Sequence, residues 1–398
     1  MKIGIYGGTF DPPHLGHMEA ACAAVGFFGL DKLLLIPSAI PPHKFLPEDS
    51  AGTEHRLAMT KIMADGVGEL AEVLELEILR EGPSYTVDTV RALRKDYPDA
   101  EFFLLMGTDM FFAFEQWYEA GELAKEVTLA PFAREESGSH ELFAVQCEQL
   151  KAQLGAKISV LPLPKIYPIS STQVRRLLKG SKTREPGGAL LWTPIYGYIL
   201  RNRLYGCDTD LTKLSEDQLR AVAYSMVQAK RVPHIQGTEE AAVLLAQRWN
   251  VDPKRARRAA ILHDCTKHLD LEAQRALCTQ YQIDCNELER GSAKLLHART
   301  GAAVARHVFG ADDEIVQAID SHTTGAPGMT TFDKVLYLAD YIEPNRGFPG
   351  VEELRRLSYE DLDAAMCRGL ETTIAELEAK NATVHENTKQ TLLQLKGQ

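Results

Sequence analysis

The sequence lacks the features that mark membrane, secreted and nucleic-acid-coating proteins. It has no apolar run approaching the roughly 18 residues that a bilayer crossing needs. Met1 leads directly into Lys2–Gly8, without the charged start and apolar middle of a signal peptide. The net charge is −11 and no basic arm is present, which argues against a chain that coats nucleic acid. We therefore expect a protein that binds neither membranes nor nucleic acid.

Paired cysteine motifs are also missing. The seven cysteines are an odd number and include no CxxC pair, so the sequence favours neither a disulfide framework nor a zinc ribbon. They are typical of buried thiols in a reducing compartment. The predicted location is therefore the cytoplasm.

The 398 residues are enough for two or three domains, and the chain changes character part-way along. Buried apolar runs alternate with helical segments over residues 1–205, which predicts an α/β domain with a parallel sheet and crossover helices. The predicted strands and helices are Lys2–Tyr6, Gly16–Val25, Lys32–Pro37, His55–Ala64, Leu74–Leu79, Thr86–Asp96 and Glu101–Gly107.

The remainder of the chain is predicted to be all-α. From Ser215 onward the sequence has helical periodicity, helix caps such as Asp252–Pro253, and no convincing strand. The polar stretch between the two parts has the composition of a linker. We therefore expect a first domain at 1–205, a linker at 206–216 and a second domain at 217–398.

The strongest motif in the first domain is Gly7–His17, here called the phosphate loop. It follows the first strand and opens the first helix, where glycines let a ligand approach and free N–H groups favour phosphate. His14 and His17 lie three positions apart, so their side chains can share one face of a helical turn. Two imidazoles there could donate hydrogen bonds to phosphate oxygens that gain charge during transfer.

A second anion site is predicted about 150 residues later, at Ile169–Arg176. Its hydroxyl groups stand at a helix start and are followed by arginine, which suits the outer phosphates of a nucleotide. An ordinary helix cap with solvated arginines would look similar in isolation. The pairing with the phosphate loop favours a nucleotide site, with Ser170, Ser171, Thr172 and Arg175 as its candidate residues.

Together these motifs resemble the bacterial nicotinate-nucleotide adenylyltransferases of the nucleotidylyltransferase superfamily. Further matching segments are Pro41–Lys44, Ser84–Thr86, Gly107–Asp109 and Trp117–Tyr118. The resemblance implies a Rossmann-like fold that transfers AMP from ATP to nicotinate mononucleotide, releases pyrophosphate and requires Mg²⁺. It implies catalytic or ATP-binding roles for Gly7, Gly8, Thr9, Phe10, His14, His17, Lys44, Asp109, Ser170, Ser171, Thr172 and Arg175. It implies mononucleotide-binding roles for Thr86, Trp117, Tyr118 and Arg134.

Two segments depart from this family pattern. The sequence around Arg134 lacks the usual Arg-Pro-Gly-like turn, and Glu185–Gly188 is atypical. Both departures concern fine substrate contacts and leave the phosphate loop untouched. The nearest rival within the fold, pantetheine-phosphate adenylyltransferase, lacks the Pro41–Lys44 and Ser84–Thr86 elements.

The second domain contains histidines and aspartates in an ordered series. The adjacent pair His263–Asp264 ends an apolar helical stretch, where a buried ionisable pair requires a partner. A divalent metal is a natural partner, and two metal ions can clamp a phosphate between them. The six candidate ligands are His234, His263, Asp264, His297, His322 and Asp340.

This series resembles the HD phosphohydrolase superfamily, and Ala339–Arg346 resembles its YqeK-like branch. The resemblance implies an all-α HD-domain bundle that hydrolyses diadenosine tetraphosphate symmetrically to two ADP, with Asp264 as a catalytic metal ligand. It implies two divalent metals, iron first and manganese, cobalt or zinc as alternatives. Lys267 and Arg346 are candidate phosphate-binding residues, although solvated side chains would look the same.

The sequence thus predicts one polypeptide with two enzyme activities, acting on ATP, nicotinate mononucleotide and diadenosine tetraphosphate. Two alternatives stay open for the second half: a nucleotide-sensing module without catalysis, and a hydrolase of another nucleotide such as a guanosine alarmone. Loss of a metal ligand would favour the sensing module, and all six are present. The sequence does not decide between a monomer and a homo-oligomer.

Overall fold

A computed structural model describes residues 1–38, 47–132, 140–179 and 186–397. The chain divides into two compact units, Met1–Thr209 and Asp210–Gln398. The first unit contains the α/β part and the second the all-α part, so the predicted fold class is confirmed. The exact domain bounds and the linker at 206–216 stay predictions.

Within the described residues, the first unit contains a six-stranded parallel sheet in the order β3-β2-β1-β4-β5-β6. Its strands are β1 (Lys2–Gly8), β2 (Lys32–Pro37), β3 (Ala71–Val73), β4 (Glu101–Gly107), β5 (Val127–Phe132) and β6 (Lys157–Ile158). Beyond a charged first residue, the central strands β1, β2 and β4 carry no charged side chain, as expected for strands that helices cover on both faces. The helices are α1 (Leu15–Phe28), α2 (Thr53–Val67), α3 (Thr86–Asp96), α4 (Thr108–Phe112), α5 (Ala120–Glu126), α6 (His140–Leu154), α7 (Ser171–Leu178), α8 (Pro186–Ala189) and α9 (Thr193–Arg201).

The strand predicted at Leu74–Leu79 is wrong. The edge strand β3 ends at Val73, and the next residues form turns. Leu74 and Leu76 pack against the hydrophobic core, whereas Leu79 is 77% exposed. The Leu74 N–H still donates to the carbonyl of Leu35 in β2 at 3.0 Å, and the following residues pack on the core as an irregular segment.

The order of the strands determines where the phosphate loop lies in the first unit. The chain proceeds outward from β1 in one direction to β3 and then restarts at β4 on the other side of β1. Ligands of open parallel sheets bind beside the carboxyl ends of the strands at such a reversal. The phosphate loop follows β1 and Asp109 follows β4, so both predicted elements lie at this position.

The described part of the second unit is helical and contains no strand. Its helices are α10 (Glu216–Tyr224), α11 (Val232–Arg248), α12 (Pro253–Leu262), α13 (Leu271–Gln280), α14 (Glu287–Arg290), α15 (Ala293–His307), α16 (Asp313–Ser321), α17 (Thr331–Ile342), α18 (Val351–Glu360), α19 (Leu362–Ala379) and α20 (Glu386–Leu395). The predicted cap at Asp252 is confirmed, since its carboxylate accepts from the N–H groups of Lys254 and Arg255. Among the described helices of either unit, none combines the length and apolar character of a membrane span.

Candidate active sites

The phosphate loop brings its two histidines into contact. His14 lies at the N-terminal cap of α1, and its backbone N–H donates to Nδ1 of His17 at 3.1 Å. The ring centroids are 3.8 Å apart, and both residues are buried. Because Nδ1 of His17 accepts a hydrogen bond, the assigned neutral tautomer carries its proton on Nε2. His17 can therefore act as a hydrogen-bond donor without being charged.

Gly8 and Phe10 shape the start of this loop. Phe10 adopts a left-handed backbone with φ of 48° and buries its ring between Tyr6 and His17, at centroid distances of 5.6 and 5.4 Å. A Cβ at Gly8 would lie 3.3 Å from the Phe10 ring, tighter than ordinary contact. A small residue at position 8 therefore allows the ring to tuck beneath the loop.

The second predicted anion site lies directly against the phosphate loop. The Ser171 hydroxyl donates to the carbonyl of Pro12 at 3.0 Å, and Arg175 donates to the carbonyl of Asp11 at 2.7 Å. Ser170 caps α7, where its side chain accepts from the N–H of Gln173. The fold thus joins two motifs that are separated by about 160 residues.

Arg175 is itself buried, with 4% of its surface exposed. Its guanidinium lies 3.4 Å from Oδ2 of Asp11 and 3.1 Å from Oδ1 of Asp49. These two carboxylates hold the Arg175 side chain against the phosphate loop. Arg175 therefore organises the loop, in addition to any contact it makes with phosphate.

The predicted mononucleotide residues lie on neighbouring elements of the first unit. Thr86 begins α3, and Trp117 is partly buried against the hydrophobic core, 5.4 Å from the Phe114 ring. Tyr118 is half exposed, with its ring 4.5 Å from that of Tyr85. The predictions for Lys44 and Arg134 lie outside the described residues.

In the second unit the six predicted ligands converge from separate helices. His234 lies in the first turn of α11, and His263–Asp264 directly follow α12. The others belong to α15, the end of α16 and α17. Ligand atoms within 4.8 Å of one another form three overlapping groups, His234–His263–Asp264, His263–His322–Asp340 and Asp264–His297–His322.

One side of this cluster gathers around Oδ2 of Asp264. The Nε2 atom of His234 lies 3.8 Å from this oxygen, and Nε2 of His263 lies 3.4 Å from it. The two Nε2 atoms are 3.3 Å apart. Oδ1 of Asp340 completes the group at 3.0 Å from His234. Two imidazoles and the Asp264 carboxylate are thus available to one cation, with Asp340 beside them.

The other side gathers around Oδ1 of the same aspartate. Nε2 of His297 lies 3.2 Å from Oδ1 of Asp264, and Nε2 of His322 lies 3.8 Å from it. Oδ1 is buried and accepts no hydrogen bond among the described residues, and the ammonium group of Lys267 lies 3.9 Å from it. A buried carboxylate oxygen without a donor is costly unless a cation neutralises it. Asp264 can therefore offer one oxygen to each of two metal ions.

Backbone contacts orient the imidazoles for ligation. In three of the histidines Nδ1 lies 2.6 to 2.7 Å from a carbonyl oxygen three residues earlier, in the pairs His263–Ala260, His297–Lys294 and His322–Ile319. These bonds place the proton on Nδ1 and leave the Nε2 lone pair for a metal. The donor set therefore fits a divalent metal by chemistry as well as by position.

The charge states also suit a metal. Burial alone would raise the pKa of Asp264, but the facing His263 imidazole holds that pKa well below its usual range. Burial likewise opposes ionisation of Asp340, yet its hydrogen bond with His234 keeps its pKa well below the usual range. Burial lowers the pKa of His297 to about 4. Burial opposes protonation of His263, but the facing Asp264 carboxylate raises the pKa of this imidazole. The ionised carboxylates and the neutral His297 are in the form that ligates metals, and His263 would release its proton on binding one.

Comparison with known proteins agrees with this division. A cytidylyltransferase-like family model matches residues 5–177, and an HD domain model matches residues 231–345. A probable nicotinate-nucleotide adenylyltransferase of Carboxydothermus hydrogenoformans is 36% identical over 204 residues, which cover 51% of this chain and 98% of that protein. A symmetrical bis(5'-nucleosyl)-tetraphosphatase of Bacillus subtilis is 37% identical over 174 residues, which cover 44% of this chain and 92% of that protein.

The chain belongs to both families, one in each half. Its first half is nicotinate-nucleotide adenylyltransferase-like, and its second half is HD-hydrolase-like. Among solved structures, an HD superfamily hydrolase from Clostridium acetobutylicum is 35% identical, with a TM-score of 0.45 over 46% of this chain and 98% of that one. The predicted family memberships and the bifunctional arrangement are confirmed.

In the adenylyltransferase-like half, sequence reasoning missed Arg56. This side chain is fully buried on α2, and its guanidinium donates to the carbonyls of Thr9, at 3.1 Å, and Ser38. It joins the segments that follow β1 and β2. Arg56 follows the polar residues Thr53, Glu54 and His55, so its own segment gives no signal, and its partners lie 18 and 47 residues away.

In the HD half, Glu343 is a further missed residue. Its buried carboxylate lies 3.1 Å from Nδ1 of His234, and its other oxygen accepts from Asn345 through the backbone N–H at 2.6 Å and the side-chain amide at 2.9 Å. A carboxylate behind a ligating histidine fixes the tautomer and the ring orientation. Glu343 therefore supports the His234 ligand without touching the centre itself.

Three cations surround the HD ligands. Lys267 and Arg346 were predicted as phosphate-binding residues: Nζ of Lys267 lies 3.0 Å from Nε2 of His297, and Arg346 lies 2.9 Å from Oδ1 of Asp340. Arg231, which sequence reasoning missed, places Nε 2.7 Å from Oδ2 of Asp264. The cluster therefore combines metal-ligand chemistry with positive charges suited to a polyphosphate.

Proposed function

We propose that the first half transfers AMP from ATP to nicotinate mononucleotide, releasing pyrophosphate. The contact between the phosphate loop and the helix that carries Ser171 and Arg175 supports this, because it forms one anion site at the sheet reversal. The acceptor phosphate can attack the α-phosphorus directly, so no covalent nucleophile is required. The first half's task is positioning and charge stabilisation.

His14 and His17 would supply hydrogen bonds to the phosphate oxygens that gain charge. The neutral tautomer of His17 leaves Nε2–H as a donor, and the buried position of both rings strengthens such bonds. Mg²⁺ would enter with ATP as part of the substrate. Thr86, Trp117 and Tyr118 would hold the mononucleotide, with Lys44 and Arg134 as further candidates from the sequence.

For the second half we propose symmetrical hydrolysis of diadenosine tetraphosphate to two ADP. The observation that supports it is the position of Asp264, which offers one oxygen to each of two ligand groups. A bound pair of divalent metals would polarise the phosphate and activate water. We propose iron as the metal, with manganese, cobalt or zinc as alternatives.

The protein's own residues would perform the remaining tasks in this half. Asp264 would hold both metal positions at a fixed separation, while Glu343 would keep His234 oriented. Arg231, Lys267 and Arg346 would neutralise the charge of the tetraphosphate. We propose that the protein acts in the cytoplasm on ATP, nicotinate mononucleotide and diadenosine tetraphosphate.

Parallel assays on the purified full-length chain test the proposal. Formation of deamido-NAD from ATP and nicotinate mononucleotide measures the first activity, and release of ADP from diadenosine tetraphosphate measures the second. Metal analysis of anaerobically purified protein identifies the bound ion. A chain that binds diadenosine tetraphosphate with its metals in place but releases no ADP would support the sensing module instead.

A further inference from the structure

Tyr205 lies four residues before the end of the first unit, in a constrained backbone. Both Arg203 and Tyr205 adopt left-handed conformations, with φ of 52° and 57°, and Gly206 follows with φ of 76°. Non-glycine residues rarely adopt this conformation and keep it only where their surroundings require it. The Tyr205 side chain is nevertheless buried, with 8% exposed. This backbone directs a large side chain inward immediately before the chain leaves the unit.

The Tyr205 hydroxyl donates to Asp11 in the phosphate loop. The O···Oδ1 distance is 2.7 Å, and the bond joins residues that are 194 positions apart. Burial raises the pKa of Tyr205, so the hydroxyl remains a protonated donor over the range in which enzymes work. A hydrogen bond from a neutral donor to a buried carboxylate is among the stronger ones in proteins.

Asp11 connects several segments at this point. Oδ1 also accepts from the backbone N–H of Ala51 at 3.0 Å, and Oδ2 accepts from the Ser50 hydroxyl at 2.6 Å. Arg175 lies 3.4 Å from Oδ2 and contributes the opposing charge. A carboxylate with donors from three separate segments holds all of them to the loop in which it lies.

We infer that Tyr205 is a positioning residue for adenylyl transfer, which acts through Asp11 to fix the shape of the phosphate loop. The inference rests on the activity proposed for the first half. According to this inference, adenylyl transfer also requires the segment around Tyr205, which lies at the end of the first unit. Tyr205 touches no reacting atom, so its effect should appear in the alignment of the loop histidines more than in substrate binding.

Substitution in the full-length chain tests this role. Tyr205→Phe removes the hydroxyl and keeps the ring, and we expect kcat for adenylyl transfer to fall about tenfold while KM for nicotinate mononucleotide stays within about twofold. The matched control is Tyr97→Phe, whose hydroxyl lies 3.3 Å from Nζ of Lys32 at the opposite ends of the strands. The control should keep the kcat of the unsubstituted chain.

The unfolding temperature of the Tyr205→Phe chain, compared with its kcat, distinguishes a positioning role of the hydroxyl from a purely stabilising one. A Tyr205→Phe chain that melts earlier but retains kcat within about twofold would overturn the inference. So would an equal loss of kcat in the Tyr97→Phe control.

Hydrogen exchange on the unsubstituted chain provides a measurement that does not depend on a variant's folding. The amide of Cys207 donates to the carbonyl of Leu204 at 3.1 Å, within the segment that Tyr205 anchors. Binding of α,β-methylene-ATP should slow exchange in a peptide spanning 203–209, and unchanged exchange in the saturated protein would overturn the inference. If the unsubstituted chain performs no adenylyl transfer, the proposed function fails, whereas this exchange experiment still tests the link between Tyr205 and the nucleotide site.

Discussion

Gly237 faces the buried Glu343 so closely that a Cβ at position 237 would lie 2.3 Å from Oε2 of the carboxylate. Glu343 in turn contacts Nδ1 of His234 through its other oxygen. Glycine at position 237 therefore leaves room for Glu343, which orients the His234 ring one turn earlier on α11.

Gly237→Ala should weaken metal binding in the HD half without altering any ligand. The added methyl group displaces Glu343 and removes the hydrogen bond that orients His234, and loss of such support costs roughly 10- to 100-fold in metal affinity. Metal content after dialysis against a graded chelator measures this. Gly347→Ala, where a Cβ meets nothing within 4 Å, is the control and should retain its metal. Equal retention by both variants would contradict the role of Glu343.

His17→Ala should reduce kcat for adenylyl transfer by roughly 10²-fold or more, the range observed when one transition-state donor is removed. In the proposed reaction, Nε2–H of His17 donates a hydrogen bond to a phosphate oxygen that gains charge during transfer. Steady-state kinetics with both substrates provide the measurement. A variant with normal kcat and only a raised KM would show that His17 serves ground-state binding.

Trp117→Ala should raise KM for nicotinate mononucleotide roughly tenfold, the order of a stacking contact between an aromatic side chain and a base. KM for ATP should change little. Because the indole also packs near Phe114, some loss of thermal stability is expected, and the unfolding temperature should be recorded alongside. Equal increases in both KM values would identify Trp117 as a residue of the core alone.

The two activities should be separable by substitution. Asp264→Ala removes an oxygen from both ligand groups and should abolish tetraphosphate hydrolysis while sparing adenylyl transfer. His17→Ala should do the reverse. Both reactions are measured on both full-length variants. A loss of adenylyl transfer beyond about tenfold in Asp264→Ala, roughly 1.4 kcal/mol of barrier, would show that the sites depend on each other.

Glu77 should make the stability of the first half fall as pH rises above the usual titration range of a carboxyl group. Its carboxylate accepts from the Thr89 hydroxyl at 2.9 Å, and burial raises its pKa. A carboxyl group whose pKa is raised by folding contributes stability at low pH and loses it as pH rises through the folded-state pKa. Glu77→Gln should therefore gain thermal stability relative to the unsubstituted chain as pH rises. Melting curves between pH 4 and 8 would contradict this if the difference stayed constant.

The elements and candidate site residues that could be predicted from the sequence are those determined by neighbouring residues in the chain. Continuous apolar runs after a charged first residue identified β2 and β4 with the observed bounds, because the interior of a strand buried on both faces is apolar. The His/Asp cluster of the second half was predictable as a candidate site because the ionisable pair His263–Asp264 directly follows the apolar stretch Ala259–Leu262 at the end of α12. Leu74–Leu79 shows the limit, since apolar spacing does not distinguish a strand from an irregular segment that packs on the core.

The residues missed by sequence reasoning act through distant partners. Arg56 holds backbone carbonyls of two loops, Glu343 supports a histidine 109 positions away, and Tyr205 reaches back 194 positions. Each is an ordinary residue in its own segment, and its role depends on which partner the fold brings beside it. The spacing of residues along the sequence therefore does not predict these pairs.

The shared oxygens of Asp264 also constrain how this HD half can change during evolution. A lineage that no longer needed one metal position could not abandon it by altering this aspartate, because the same substitution would disable the other position. It would have to begin at His297, which contacts only Oδ1 of Asp264 and belongs to only one of the three ligand groups. Descendants that retain a single metal should therefore keep the aspartate and show their first substitutions on α15.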